Sequence, residues 1–162
     1  MPAFLSSEYK PAAPEKAAFH VLPAPLERTV SYGHGTAAGP AAILTASRQL
    51  EAFDGIDRPG DGGIHTAAVL DVTGLTDEIL GRIGNTVRAA VDHSALPVLL
   101  GGEHTISFAA IRELAQSGEP LGIVQVDAHA DLRDRYEGSP WSHACVMHRV
   151  LELGLPLLQL GV

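Results

Sequence analysis

Apolar residues along this chain fall into short unbroken runs, separated by longer stretches with helical spacing. The runs at 17–22, 65–72, 97–100, 121–126 and 157–162 are apolar on successive residues rather than on alternate ones. Strands covered on both faces read this way. Ile79, Leu80, Ile83, Val87 and Val91 recur at helical intervals and predict a helix over 76–93. Thr76 would cap it, with Asp77 and Glu78 favourably placed against the first turn. Further helices are expected over 40–53, with Pro40 in the first turn, over 105–116, and over 143–153, closed by Gly154. Residues 29–39 and 54–63 are glycine-punctuated loops, and 127–142 is a long polar loop. Residues 1–16, rich in Ala, Pro, Ser, Glu and Lys, read as an arm rather than a core element.

Strands that alternate with helices predict an α/β fold, three-layer α/β/α with a mainly parallel sheet, in a single domain over 17–162. Ligands of such sheets bind just past the carboxyl ends of the strands. The 11 Lys and Arg against 19 Asp and Glu give a net charge of −8. That balance argues against nucleic acid and against an anionic membrane surface as partners. With 46% hydrophobic residues the chain can bury a core. Cys145 is the single cysteine, which excludes an internal disulfide and fits a reducing compartment. No apolar run is long enough to span a bilayer, and the first residues lack the pattern of a secretory signal, so the expected location is cytoplasmic.

Two motifs sit at strand ends. Val126-Asp127-Ala128-His129-Ala130-Asp131 offers three metal ligands at i, i+2 and i+4. In an extended segment that spacing puts all three on one face, and the intervening alanines leave room. Three ionisable groups packed at the end of an apolar strand call for a positive charge among them, which a divalent cation supplies. Leu100-Gly101-Gly102-Glu103-His104-Thr105 follows another strand and opens a helix, and its paired glycines permit a tight turn that aims His104 above the sheet. Adjacent parallel strands would set His104 beside the Asp127 triplet. Carboxylates with imidazole and no thiolate suit Mn²⁺, Fe²⁺ or Zn²⁺, and an aspartate able to bridge favours two metals about 3.5–4 Å apart.

GGEHT, then VDAHADLRDRYEG, then WSHACVMHR, together resemble the ureohydrolase (arginase and agmatinase) family, most nearly its agmatinases. Thr29-Val30-Ser31-Tyr32 and the 35–43 segment resemble the family's N-terminal loop and helix, so the likeness runs from about residue 17 to the last residue. The resemblance implies an arginase/deacetylase-like fold and hydrolysis of a guanidino group, most readily agmatine to putrescine and urea, at two Mn²⁺ ions. By motif position, His104 and Asp131 resemble ligands of the first metal, His129 of the second, and Asp127 the aspartate that bridges both. His143 resembles the histidine at the mouth of the site that passes a proton to the leaving amine. The family is oligomeric, so a homo-oligomer is expected.

The family's pattern also has a second half, with an S-F-D-x-D strand and a later glutamate, that has no counterpart in these residues. The fold is therefore expected to be incomplete at the C-terminus. The chain then reads as the N-terminal part of a ureohydrolase, completed by a complementary C-terminal chain or else a non-catalytic metal-binding or assembly half. A zinc hydrolase of deacetylase-like architecture shares the Asp-x-His element, but GGEH and SHACV favour the ureohydrolase side. Asp134 and Glu137, in the loop after the ligands, are candidates to attract a cationic amine substrate.

Overall fold

The computed structural model describes residues 1–162. Five strands and four α-helices alternate: β1 (Phe19–Ala24), α1 (Gly39–Ala46), β2 (Ile64–Thr66), α2 (Thr76–Asp92), β3 (Leu96–Gly101), α3 (Ile106–Ala115), β4 (Ile123–Val126), α4 (Val146–Leu151) and β5 (Leu157–Leu160). Every strand pair is parallel. The strands form two sheets, ordered β2-β1-β3 and β4-β5, so β3 and β4 are not hydrogen-bonded neighbours as a single sheet would require.

The main core lies on one face of these sheets. Ile79, Leu80 and Ile83 of α2 meet Ile106, Phe108 and Ala109 of α3 and Val146, Met147 and Val150 of α4. The helical spacing read from the sequence is the stripe that α2 buries. Its cap differs from the expected one. Leu75, in extended backbone, precedes the first turn, and the Glu78 carboxylate accepts the Leu75 N–H at 3.0 Å. Thr76 is already helical.

On the opposite face Val21, Leu44 and Ile64 form a smaller cluster, with Phe4, Leu5 and Tyr9 packed against it. The arm is thus irregular but docked. Phe4 N donates to Thr66 Oγ1 at 2.9 Å, Leu5 N to Ser47 Oγ at 3.0 Å, and Ala12 N to Ile64 O at 3.0 Å. The predicted 40–53 helix stops at Ala46 and gives way to a 3₁₀ turn over Ser47–Gln49. There the Ser47 hydroxyl donates to Leu44 O at 2.9 Å and draws the chain out of the α-ladder.

Strand β2 is three residues long, where 65–72 was expected. Alternate residues of β1 face β2: Phe19 N donates to Gly63 O and Val21 O accepts from Ala67 N. Pro23 is next in that series and has no N–H to give, so the ladder lapses there. Strands β4 and β5 depart from the expectation of burial on both faces. Ile123 and Leu157 pack on the main core, whereas Val124, Val126, Leu158 and Leu160 are exposed. No element of this chain covers that second face.

Leu80 is fully buried between α2 and the other helices. Leu80→Ala should cost about 2–5 kcal/mol of unfolding free energy, read by denaturant titration.

Candidate metal centre

The two strand-end motifs converge although their strands do not pair. A tight turn after β3 brings His104 over the sheet. Gly102 makes that turn possible, because a Cβ there would sit 2.1 Å from Leu26 O. Glu103 N donates to the same carbonyl at 2.8 Å and locks the turn to the end of β1. After β4 the chain bends through Asp127–Asp131, with Asp131 in left-handed backbone at φ 52°. The Asp131 carbonyl accepts the N–H groups of Met147 and His148 at 3.0 and 3.3 Å. This ties the bend to the start of α4.

His104, Asp127 and Asp131 form one cluster, with ligand atoms all within 4.8 Å of one another. His104 Nδ1 lies 2.7 Å from Asp131 Oδ2 and 3.6 Å from Asp127 Oδ2. The other Asp127 oxygen accepts the His129 backbone N–H at 2.9 Å and lies 3.6 Å from His129 Nδ1. His129 is outside the compact cluster, with 82% of its side chain exposed. Spacing alone put His129 on the same face as the two aspartates. The turn at 127–131 is not extended, and it turns His129 out. Hydrogen bonds to Asp127, first of all from the His129 backbone N–H, hold its carboxyl below the usual range and keep it a ready anionic ligand.

Two glutamines brace this loop, and the sequence reading passed over both. Gln125 and Gln159 stand side by side in β4 and β5. Gln159 Nε2 donates to Gln125 Oε1 and to Ala130 O, while Gln125 Nε2 reaches His129 O at 3.1 Å and Asp127 Oδ2 at 3.3 Å. The available signal was an amide in the middle of each otherwise apolar strand. Glu103, also passed over, is buried and accepts four hydrogen bonds. A carboxylate inside GGEH, next to a candidate ligand, was its signal.

The cluster opens into a cleft of about 980 Å³, with His143, Tyr136 and Arg133 on its walls. His143 opens a 3₁₀ turn ahead of α4, and its ring meets Tyr136 nearly edge-on, with ring centroids 5.7 Å apart. Asp134 and Glu137 do not line this cleft. Asp134 is held by Arg149 at 2.6 Å, a hydrogen bond that also keeps its carboxyl below the usual range. Glu137 sits exposed in a turn, in left-handed backbone at φ 50°.

Residues 17–162 match the arginase family. The chain belongs to that family. Among its curated relatives, the N(1)-aminopropylagmatine ureohydrolase of Synechocystis is 41% identical over 155 residues, covering 90% of this chain and 51% of that protein. The agmatinase of Pyrococcus horikoshii is 34% identical, over 88% of this chain and 50% of that protein. Of solved structures, the agmatine ureohydrolase of Thermoplasma volcanium superposes with a TM-score of 0.82 at 28% identity, covering 94% of this chain and 51% of that one. The arginase from Medicago truncatula also gives 0.82, at 26% identity, over 91% of this chain and 50% of that one. The chain therefore spans about half the length of the arginase-family relatives it matches. No helix is long and apolar enough to cross a membrane.

A loop on the rim of the cleft carries its own electrostatic latch. Glu27 accepts the N–H groups of Ala37 at 2.8 Å and Gly35 at 2.9 Å, and these bonds lower its pKa from 4.5 to about 2. A carboxyl whose folded pKa is depressed stabilises the fold above its unfolded pKa and stops doing so as pH falls through the folded value. The Gly35 and Ala37 amides should therefore stay protected from hydrogen exchange above about pH 4.5 and lose protection toward pH 2. In Glu27→Gln their protection should be flat across that window.

Proposed function

We propose that this chain carries the metal-binding part of a binuclear Mn²⁺ hydrolase that cleaves a guanidino group to urea and an amine. The observation that carries the reading is the Asp127 carboxylate, with one oxygen toward the His104–Asp131 pair and the other toward His129. An aspartate so placed is suited to serve two cations at once. The donor set fits: two carboxylates and two imidazoles, with no thiolate, suit a hard to borderline divalent ion such as Mn²⁺. His104, Asp127 and Asp131 would hold one ion, and Asp127 with His129 would contribute to a second.

When bound, such a metal pair supplies Lewis acidity and an ionised water at neutral pH. The chain's own residues do the rest. His104 must present a bare Nδ1 to an ion, so its hydrogen bond to Asp131 gives way when a metal binds there. His143 stands at the cleft wall, where an imidazole can pass a proton to a departing amine. Arg133 lies over the Tyr136 ring at 5.3 Å and narrows the cleft beside it. The net charge of −8 attracts a cationic substrate over distance.

Agmatine is the substrate favoured by the sequence motifs. N(1)-aminopropylagmatine is the second reading, favoured by the name of the 41% identical relative. Both present the same guanidino end to the cluster and differ only in the tail. Assembly into a homo-oligomer, or with a complementary chain that brings further ligands, belongs to the same proposal.

The test is metal content per chain after Mn²⁺ loading, with urea release from each substrate measured on the same sample. Asp127→Asn should lower Mn²⁺ content and abolish urea release, while Val69→Ala, at an exposed position outside the cleft, should change neither. Metal uptake without urea from either substrate would restrict the chain to metal binding. Absence of specific Mn²⁺ uptake would overturn the proposal.

A further inference from the structure

Thr29 and His143 are joined by hydrogen bonds that dictate which imidazole nitrogen carries the proton. A threonine hydroxyl has one proton to give. Thr29 Oγ1 gives it to Glu103 Oε1 at 2.9 Å. The Glu103 carboxylate is itself buried and held by the backbone N–H groups of Arg28 and Thr29 on Oε2, and by the Thr105 hydroxyl on Oε1. Toward His143, Thr29 Oγ1 can then only accept. It accepts the His143 backbone N–H at 3.0 Å and lies 3.2 Å from Nδ1.

We infer that Glu103, acting through Thr29, is a positioning residue that holds His143 as the Nδ1–H tautomer, with Nε2 bare as a base at the cleft wall. Nε2 then faces Ser31 Oγ at 3.0 Å, and the Ser31 and Tyr136 hydroxyls lie 3.2 Å apart; with the Tyr136 proton turned to Ser31 Oγ, the serine proton is free for Nε2. Only one other group touches Nδ1. Ser142 Oγ is 3.3 Å away, and it also accepts the Ala144 N–H at 3.4 Å. A serine proton directed at Nδ1 would leave two acceptors facing each other at the Thr29 contact, so Thr29 decides the tautomer. The pattern matches that of other oriented histidines, in which the partner of one ring nitrogen sets the role of the other. The catalytic consequence rests on the functional reading of His143 given above, whereas the tautomer itself does not.

The ring nitrogen shifts of His143, read by ¹⁵N NMR on the full chain, test the inference without any need for turnover. The wild-type chain should show Nδ1 protonated and Nε2 bare. Thr29→Ser keeps the hydroxyl and should keep that state. Thr29→Val should lose the preference and give a mixture. Glu103→Gln should invert it: the new amide would donate to Thr29 Oγ1 and free the threonine proton for Nδ1, leaving Nε2 protonated. Ser142→Ala should change nothing. Nε2–H in the wild type, or an unchanged tautomer in both Glu103→Gln and Thr29→Val, would overturn the inference. Should Glu103→Gln fail to fold, the contrast between Thr29→Ser and Thr29→Val decides alone. Urea release is scored separately: a wild-type chain that has the tautomer but releases no urea counts against the functional reading and not against this one.

Discussion

One buried carboxylate holds the site together. Glu103 gathers the chain just after β1, the turn after β3 and, through Thr29, the approach to α4. Burying a charge without partners would cost far more than a typical hydrogen bond returns. Three of the four donors around Glu103 come from Arg28 and Thr29 and the fourth from Thr105, so they offset that cost only when the segment after β1 is docked on the turn after β3. The arrangement is therefore close to all-or-none, as expected for a fully satisfied buried polar network. His104, one residue on, inherits its position from this anchor.

The ligand loop is held by a different device. Asp131 occupies left-handed backbone, which is costly for a residue with a Cβ and persists only where the surroundings enforce it. Two N–H groups at the start of α4 accept that geometry by donating to its carbonyl, and the glutamine pair of β4 and β5 holds 127–130 from below. Gly161 lets β5 end close to this loop, since a Cβ there would sit 2.8 Å from Asp127 O. The result is a pair of carboxylates beside an imidazole, fixed in advance of any cation. Such a cluster is unfavourable by itself and becomes favourable when a divalent ion occupies it. Backbone and amide contacts hold the loop, and the 2.7 Å contact of His104 with Asp131 ties it to the turn after β3.

Much of this was legible in the residues themselves. The alternation of apolar runs with helical stripes reflects burial, which is a local property of each element, so all five strands and four helices could be placed. The ends were less legible. The lapse of β2 at the register of Pro23 depends on which side of β1 the missing donor faces, and that is known only once strands are paired. The motifs GGEH and DAHAD identified four ligand candidates, because metal chemistry demands particular side chains in particular order. The sequence could not say that Asp134 would be spent on Arg149, or that His129 would turn outward, since both follow from the path of one irregular loop.

By itself, then, the sequence determined the class of fold and the donor chemistry, because these depend on periodicity and on residue type at fixed spacing, and its motifs carried the resemblance to the family that the match over 17–162 shows. Tertiary structure alone decided that His104 meets Asp131 across a break between two sheets, and that Thr29 gives its only proton to Glu103. The physical reason is that hydrogen bonds are spent one proton at a time between groups up to 114 positions apart. No local pattern in the chain records which partner each proton will find.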